Sequence, residues 1–468
     1  MFTIADIGNA RIAGLETDLS LAPGQYDWLL TSFYITYIAF EWMALLFRAL
    51  PAHIYLSMTV LAWGLIASAQ SLTTKFWQLL VLRTLLGISE AAFSGVPFYL
   101  SFFYRREELA SRVGVFISAA PLATTFASSL AWVITWLGTR SPVSPWRLLF
   151  LVEGFPSVLV AVWVWTTLPD GPDTAWFLGR REREVAVLRL QSEKEAEDTA
   201  ETIGEKAARS KKSVHFSEVL QTLLDPKSYI TAVSLPLVIQ SRESLLISPQ
   251  AMFFSCNVAF SSMPVFLPTI IHQLGFSSLA SQALSAPPYL LSFIIVIVTA
   301  RLSDKHRKRA SFIILHAMLA SAGYALSFVA ALISLPSAVR YIAIYPACIG
   351  FFSCVTLIIT WTINNQDSDS KRGTGVALLQ FLGQCGPLVG TRVYPEEDGP
   401  DYLKGNLVCA GFMFLVGILA WSLKIVLGKE NERKKREWFE LSGEEEGEAL
   451  VNDDGRPKRK KEIFLFML

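Results

Sequence analysis

Apolar runs long enough to cross a hydrocarbon layer recur along almost the whole chain, and this recurrence limits the fold more than any motif does. A helix needs about 20 residues to span a core roughly 30 Å thick. Runs at 28–47, 53–70, 77–103, 113–136, 147–168, 284–300, 311–333, 340–363, 374–393 and 407–427 reach or approach that length. Lipid offers nothing to an unpaired backbone N–H or C=O, so such runs predict helices. Of the 468 residues, 52% are hydrophobic and only 17% are charged, well below the charge content of soluble domains. The expected fold class is therefore an all-α polytopic membrane protein. Two regions resist this pattern. Residues 1–14 are too short to span, and residues 228–271 are too long for one helix and awkward for two.

The net charge of +1 says little, because the placement of Lys and Arg relative to the spans is what orients a membrane chain. Arg105, Arg106 and Arg112 fall on one side with Arg301, Lys305, Arg307, Lys308, Arg309, Lys371 and Arg372. The other side is poorer: 272–283 has no Lys or Arg, and 394–401 is acidic. The basic side, with the polar segment 170–227 and the tail from 429, is expected in the cytoplasm. Only one crossing over 228–271 preserves this bias. A helix at 251–271 with the lead-in Tyr229–Ala232 supplies it and leaves Val233–Gln250 as an apparent insertion. That piece contains Arg242, Glu243, Pro236 and Pro249, all poor tenants of a span. Val-Ser at its start and Gln at its end match what intron boundaries can encode, so a retained intron is expected. An interfacial or re-entrant segment is the alternative.

A weak repeat relates the two halves. "AAPLATT" (119–125) and "CGPLVGT" (385–391) each place small residues and Pro-Leu in mid-helix, a device that membrane helices tolerate. The expected divisions are a bundle at 1–169, a linker at 170–227, a second bundle at 228–428 and a tail at 429–468. Two six-helix bundles joined by a cytoplasmic linker resemble the major facilitator superfamily, and "ARLSDKHRKR" (300–309) resembles its loop signature. "DIGNARIAGLETDL" (6–19), "EAAFSGVPFYLSFFYRREELASR" (90–112), "WRLLFLVEGFP" (146–156), "LPDGPDTAWFL" (168–178), "FSSMPVFLPTII" (260–271), "SAPPY" (285–289) and "RGTGVALLQFLGQCGPLVGTRVYP" (372–395) together resemble the fungal anion:cation symporter family of allantoate and nicotinate permeases. Two departures stand out. Thr3 and Ile4 occupy positions where the family carries an Asp-Arg pair, and Asp6 stands for an Asn, so the first helix is expected to be incomplete.

No G-x-x-x-x-G-K-[ST] occurs, which points to an ion gradient rather than ATP. His53, His215, His272, His306 and His316 form neither an H-x-x-x-D pair nor a cluster, so catalysis is not expected. The five cysteines lie in apolar segments, and no disulfide, metal site or other cofactor is expected. Arg83, Gly87 and Glu90 recur at i, i+4 and i+7 and share one helical stripe. A guanidinium there suits a carboxylate substrate and Glu90 suits a proton, although an ion pair closing the bundle fits the same stripe. Tyr34, Tyr37 and Glu41 form a second stripe, with Glu41 either a proton carrier or a hydrogen-bonded packing residue. Glu153 is expected to support its helix. Asn257 with Ser261, Trp361 with Asn364, and Gln380 with Gln384 are substrate-site candidates or helix-packing residues. Asp304 and Arg309 are expected to gate.

The resemblance implies a proton-coupled importer of a small organic anion, in lipid at a fungal plasma membrane, monomeric and without nucleic-acid partners. A nutrient sensor or an inactive truncated permease is the alternative. Mature transcript is expected to read straight from Ala232 into Ala251; reads carrying codons 233–250 would contradict the insertion.

Overall fold

The computed structural model describes residues 2–48, 50–104, 106–138, 142–190, 244–365, 379–445 and 467. Helix dominates them. α1 covers Phe2–Ala10 and continues through a π-helical turn, Arg11–Leu15, to Glu16–Asp18. α2 is Gln25–Phe40, tightening to a 3-10 helix over Glu41–Arg48, and α3 is Ala52–Ala69. α4 is Phe76–Ala91, extended by Ala92–Gly95 and Val96–Leu100. α5 (Arg106–Gly138) and α6 (Pro145–Thr167) follow. Then come α7 (Ser244–Gln273), α8 (Ser278–His306), α9 (Arg309–Leu332) and α10 (Ser337–Asn364). α11 comprises 379–383 and Gly386–Gly390, and α12 is Leu403–Glu445.

Among the described residues, nine helices are long and apolar enough to cross a membrane. With α1, α2 and α11 they account for the expected runs, and the all-α membrane fold holds. Three boundaries differ from expectation. Residues 1–14 do not stop short, because the helix runs on past Gly14, whose φ of +100° accommodates a kink that residues with a Cβ rarely adopt. Ser244–Gln250, assigned from the sequence to the insertion, form the first turns of α7. α12 continues past the expected end at 427, its polar extension carrying the i,i+3 pair Glu430–Arg433 at 2.6 Å. Residues 233–243 of the insertion, the linker from 191 to 227, and Lys371 and Arg372 lie outside the described residues.

The helices pack as two related sets. α3 lies against α6 as α9 lies against α12, α2 against α4 as α8 against α10, and α1 against α6 as α7 against α12. The two sets meet where α5 packs on α8 and α10, α1 on α7, and α2 on α11. Burial follows from position. In the most apolar stretch of α7 and of α10, 83% of residues are enclosed by protein, against 22% for α6, whose Leu159, Val162 and Trp163 point outward. Close approach needs missing side chains. A Cβ on Gly64 would sit 3.0 Å from the Gly154 carbonyl oxygen and 2.9 Å from the Val158 nitrogen, and one on Gly154 would sit 2.6 Å from the Ser68 nitrogen. Ser57 Oγ crosses the same α3–α6 contact to donate to the Ala161 carbonyl at 2.7 Å.

Gly154→Leu is expected to lower the apparent melting temperature of the detergent-purified protein, by the roughly 1–3 kcal/mol that overpacking costs. Gly411→Ala, which meets open space within 4 Å, is expected to leave it unchanged. Equal melting temperatures for both variants would contradict the close α3–α6 crossing.

Candidate functional site

α4 turns Arg83, Gly87 and Glu90 onto one buried face, as their spacing predicts. Arg83 is only 2% exposed. Its guanidinium carbon lies 5.5 Å from the Phe150 ring centroid of α6, and its ionisable neighbours are Asp6, Tyr26, Glu90 and Tyr34. Gly87 lets α2 come close, since a Cβ there would collide with the Phe33 carbonyl. The crossing is fastened by Thr36 Oγ1 donating to the Thr84 carbonyl at 2.9 Å. Three helices thus deliver a permanent cation, acids and phenols to one enclosed region.

Tyr34 is buried and Tyr37 half-buried on α2, both in an aromatic cluster that takes in Leu388 of α11 in the other half. Glu41, one turn further on, is buried, and neither of its carboxylate oxygens has a hydrogen-bond partner among the described residues. It is therefore not the hydrogen-bonded packing residue that was one of its two readings. Cys385 of α11 is among the groups that feel its charge.

Two residues of α1 belong to this region and were missed. Asp6 is 2% exposed and Asn9 is 1% exposed, with neither Asn9 amide atom hydrogen-bonded among the described residues. Their i, i+3 spacing within "DIGNAR" was the available signal. Glu153 of α6, expected to be a supporting residue, comes from a helix packed on α1 and is an electrostatic neighbour of Asp6. Both Glu153 oxygens are buried without a donor among the described residues.

The second-half candidates divide differently. Asn257 Nδ2 donates to the Gly383 carbonyl at 3.1 Å, and Ser261 Oγ donates back to the Asn257 carbonyl at 2.8 Å. Asn257 is thus engaged in the α7–α11 contact and Ser261 within its own helix, as the packing reading expects. Gln380 on α11 and Gln384 in the turn that divides it are half-buried, and Gln380 Oε1 has no hydrogen-bond partner among the described residues. Trp361 and Asn364 lie at the far end of α10, a helix of 28 residues, whereas Arg83 lies only two turns into α4 from the opposite end. The sequence grouped them with Arg83; the helix directions separate them.

At that basic end Asp304 accepts from Arg309 across the α8–α9 turn, the pair expected to gate. Arg309 is 3% exposed and reaches Ser303 Oγ at 3.5 Å. With the Asn364 amide oxygen toward it, Arg309 also donates from Nε at 3.0 Å and from Nη2 at 3.1 Å. Trp361 Nε1 donates to the Met467 carbonyl at 2.8 Å, and Met467 N donates to Asn365 Oδ1 at 2.8 Å. At the acidic end the two halves touch through polar groups. Arg11 Nη2 reaches Glu396 at 3.3 Å while its Nε pairs with Glu16 at 2.8 Å. Arg392, in the turn after α11, sits 5.3 Å from the Trp28 ring and donates to Thr31 Oγ1 at 3.4 Å.

The model of a family described as the Major Facilitator Superfamily matches residues 6–391. The chain belongs to that superfamily. As a superfamily member it is a secondary transporter rather than an enzyme. It is 30% identical over 452 residues to an uncharacterized transporter of Schizosaccharomyces pombe, covering 96% of this chain and 86% of the relative. It is 28% identical to a major facilitator-type transporter of Emericella nidulans, with 97% and 87% covered. It is 27% identical to the high-affinity nicotinic acid transporter of Saccharomyces cerevisiae, with 92% and 74% covered. The solved proton:xylose symporter bound to 6-bromo-6-deoxy-D-glucose aligns at a TM-score of 0.62 over 92% of this chain and 94% of its own, at 14% identity, which speaks to the fold.

In this transporter, removing the Asp304 carboxylate strands a buried guanidinium. Asp304→Asn is expected to cost about 1–2 kcal/mol, less than a fully buried pair, because the Asp304 side chain is 37% exposed and partly screened by solvent. A thermal-shift assay checks this, and an unchanged melting temperature would contradict it.

Proposed function

We propose that this transporter imports a small organic anion, such as a vitamin acid, a ureide or a related carboxylate, in symport with protons and by alternating access. The observation that carries the reading is Arg83. A guanidinium 2% exposed in mid-bundle is costly to keep in a membrane, and its fork of donors matches a carboxylate. Acids and phenols surround it, with Phe150 offering a flat apolar face. The likeness to a nicotinic acid transporter supports an acid of that size.

The basic end is assigned to the cytoplasm of a fungal plasma membrane, with 170–227 as the linker, 429–468 as the tail, and the protein acting as a monomer. Both ends of the passage carry contacts that are weak enough to break. At the acidic end these are the Arg11–Glu396 and Arg392–Thr31 contacts between the halves. At the basic end α5 meets α10 where Gly114 faces Thr360, a built Cβ lying 3.5 Å from Thr360 Cγ2. Exposed ion pairs contribute at most about 1 kcal/mol each, so rocking of one half against the other changes few strong interactions. Glu41 and Glu90 are the proton carriers read from the sequence, and Tyr34, Tyr37, Gln380 and Gln384 remain candidates for substrate contact.

Arg83→Gln is expected to abolish uptake of radiolabelled carboxylates in a permease-deficient strain while surface expression persists. Unchanged uptake would remove Arg83 from the mechanism. A growth screen on carboxylate vitamins and nitrogen sources would name the substrate.

A further inference from the structure

We infer that the basic end of α10 is a docking site for peptide backbone, filled here by Met467 of the chain's own tail, and that its occupancy holds the passage closed at that end. The effect on the passage rests on the alternating-access reading above. The docking itself rests on geometry.

Asn365, the residue that follows α10, grips the main chain of Met467 at two points. Met467 N donates to Asn365 Oδ1 at 2.8 Å, and Asn365 Nδ2 donates to the Met467 carbonyl at 3.3 Å. A carboxamide sets one acceptor beside one donor group, which complements the N–H and C=O of a single residue. Trp361 Nε1 adds a second donor to the same carbonyl at 2.8 Å. An indole N–H that is shut away from water needs an acceptor, and with Trp361 only 2% exposed the docked carbonyl supplies it. Contacts to the main chain hold a peptide whatever its side chains, as when a strand adds to a sheet edge. Residues well beyond the last helix of a domain are usually untied. Three hydrogen bonds to the backbone of one such residue mark a fitted site, and a tether on the same chain raises the effective concentration of its occupant.

Position gives the site its consequence. Trp361 directly follows Thr360, whose methyl group faces Gly114 of α5 where the two halves meet. The Asn364 amide atom turned toward Arg309 also lies 3.4 Å from the Met467 sulfur. Met467 thus bears on the last turn of α10 between its contact with the first half and its contact with the Asp304–Arg309 pair. Helix ends fray, and a residue bound across this turn keeps it wound. With Met467 docked, Thr360 stays presented to α5 and Asn364 to Arg309. With Met467 released, Trp361 Nε1 loses its acceptor, both contacts loosen, and α10 separates from α5 more readily.

Hydrogen-exchange mass spectrometry on the purified full chain reads the docking without a substrate. In a peptide covering 463–468, one amide of the wild type is expected to exchange at least tenfold more slowly than in the same peptide free in solution, and Asn365→Ala is expected to remove that protection. An unprotected wild type, or protection unchanged in Asn365→Ala, would overturn the docking. Maleimide labelling of Gly114→Cys, in a chain with its native thiols replaced, reads the passage. Met467→Pro deletes the N–H that Asn365 accepts and leaves the bundle untouched, so it is expected to speed labelling at least threefold. Met467→Leu keeps the backbone N–H and is expected to label like its parent. Equal rates for Met467→Pro and its parent would overturn the hold on the passage, and a Met467→Leu protein as fast as Met467→Pro would overturn the backbone site. Neither readout involves transport, so a wild type that takes up no radiolabelled nicotinate would count against the importer reading and leave both results standing.

Discussion

Hydrocarbon cannot hydrogen-bond, and that single limit governs nearly every polar atom in this protein. Most side-chain hydroxyls within the helices solve the problem locally, donating to a carbonyl one turn back, as Ser68 does to Gly64 at 2.8 Å and Thr59 to Tyr55 at 2.8 Å. Others reach a neighbouring helix through a glycine gap, as Ser262 does to the Gly390 carbonyl at 3.2 Å. Against that background the exceptions gather. Asp6 lies near Arg83 in the first half, with Asn9 one turn along α1, Glu153 on α6 and Glu41 further along α2, and each has polar atoms without a hydrogen bond among the described residues. An arrangement this costly persists only where something other than stability selects it.

Stiffness and movement are apportioned by the same chemistry. Within each half the helices are laced by hydrogen bonds such as Ser57–Ala161 at 2.7 Å and Ser321–Ala410 at 2.9 Å, and by crossings too tight for a side chain. Between the halves two polar contacts at the acidic end are longer, 3.3 Å for Arg11–Glu396 and 3.4 Å for Arg392–Thr31.

Much of the fold was legible because the 20-residue apolar period is set by membrane thickness and needs no long-range knowledge. The i, i+4, i+7 stripe of Arg83, Gly87 and Glu90 was legible for a similar reason, since helix geometry alone places it. What the sequence hid depends on which helix ends meet. Trp361 and Asn364 looked like site residues by type, yet they lie at the end of α10, at the Arg309 end, whereas Arg83 lies near the start of α4. Asn257 and Ser261 looked available, but Gly383 exposes a backbone carbonyl that only packing reveals. Glu153 seemed structural because nothing local says that Asp6, some 150 residues away, stands beside it. The extension of α12 was missed because a charged helix outside lipid lacks the apolar signal by which spans are read.

The account stands on two bundles crossing the membrane with the basic turns at one face and the acidic 394–401 loop at the other. Single cysteines at Lys305 and at Glu397, in a protein with its native thiols replaced, test this most directly. An impermeant maleimide on intact cells should label the residue at 397 and should reach 305 only after permeabilisation. Labelling of 305 from outside would invert the topology and, with it, the direction assigned to the passage around Arg83.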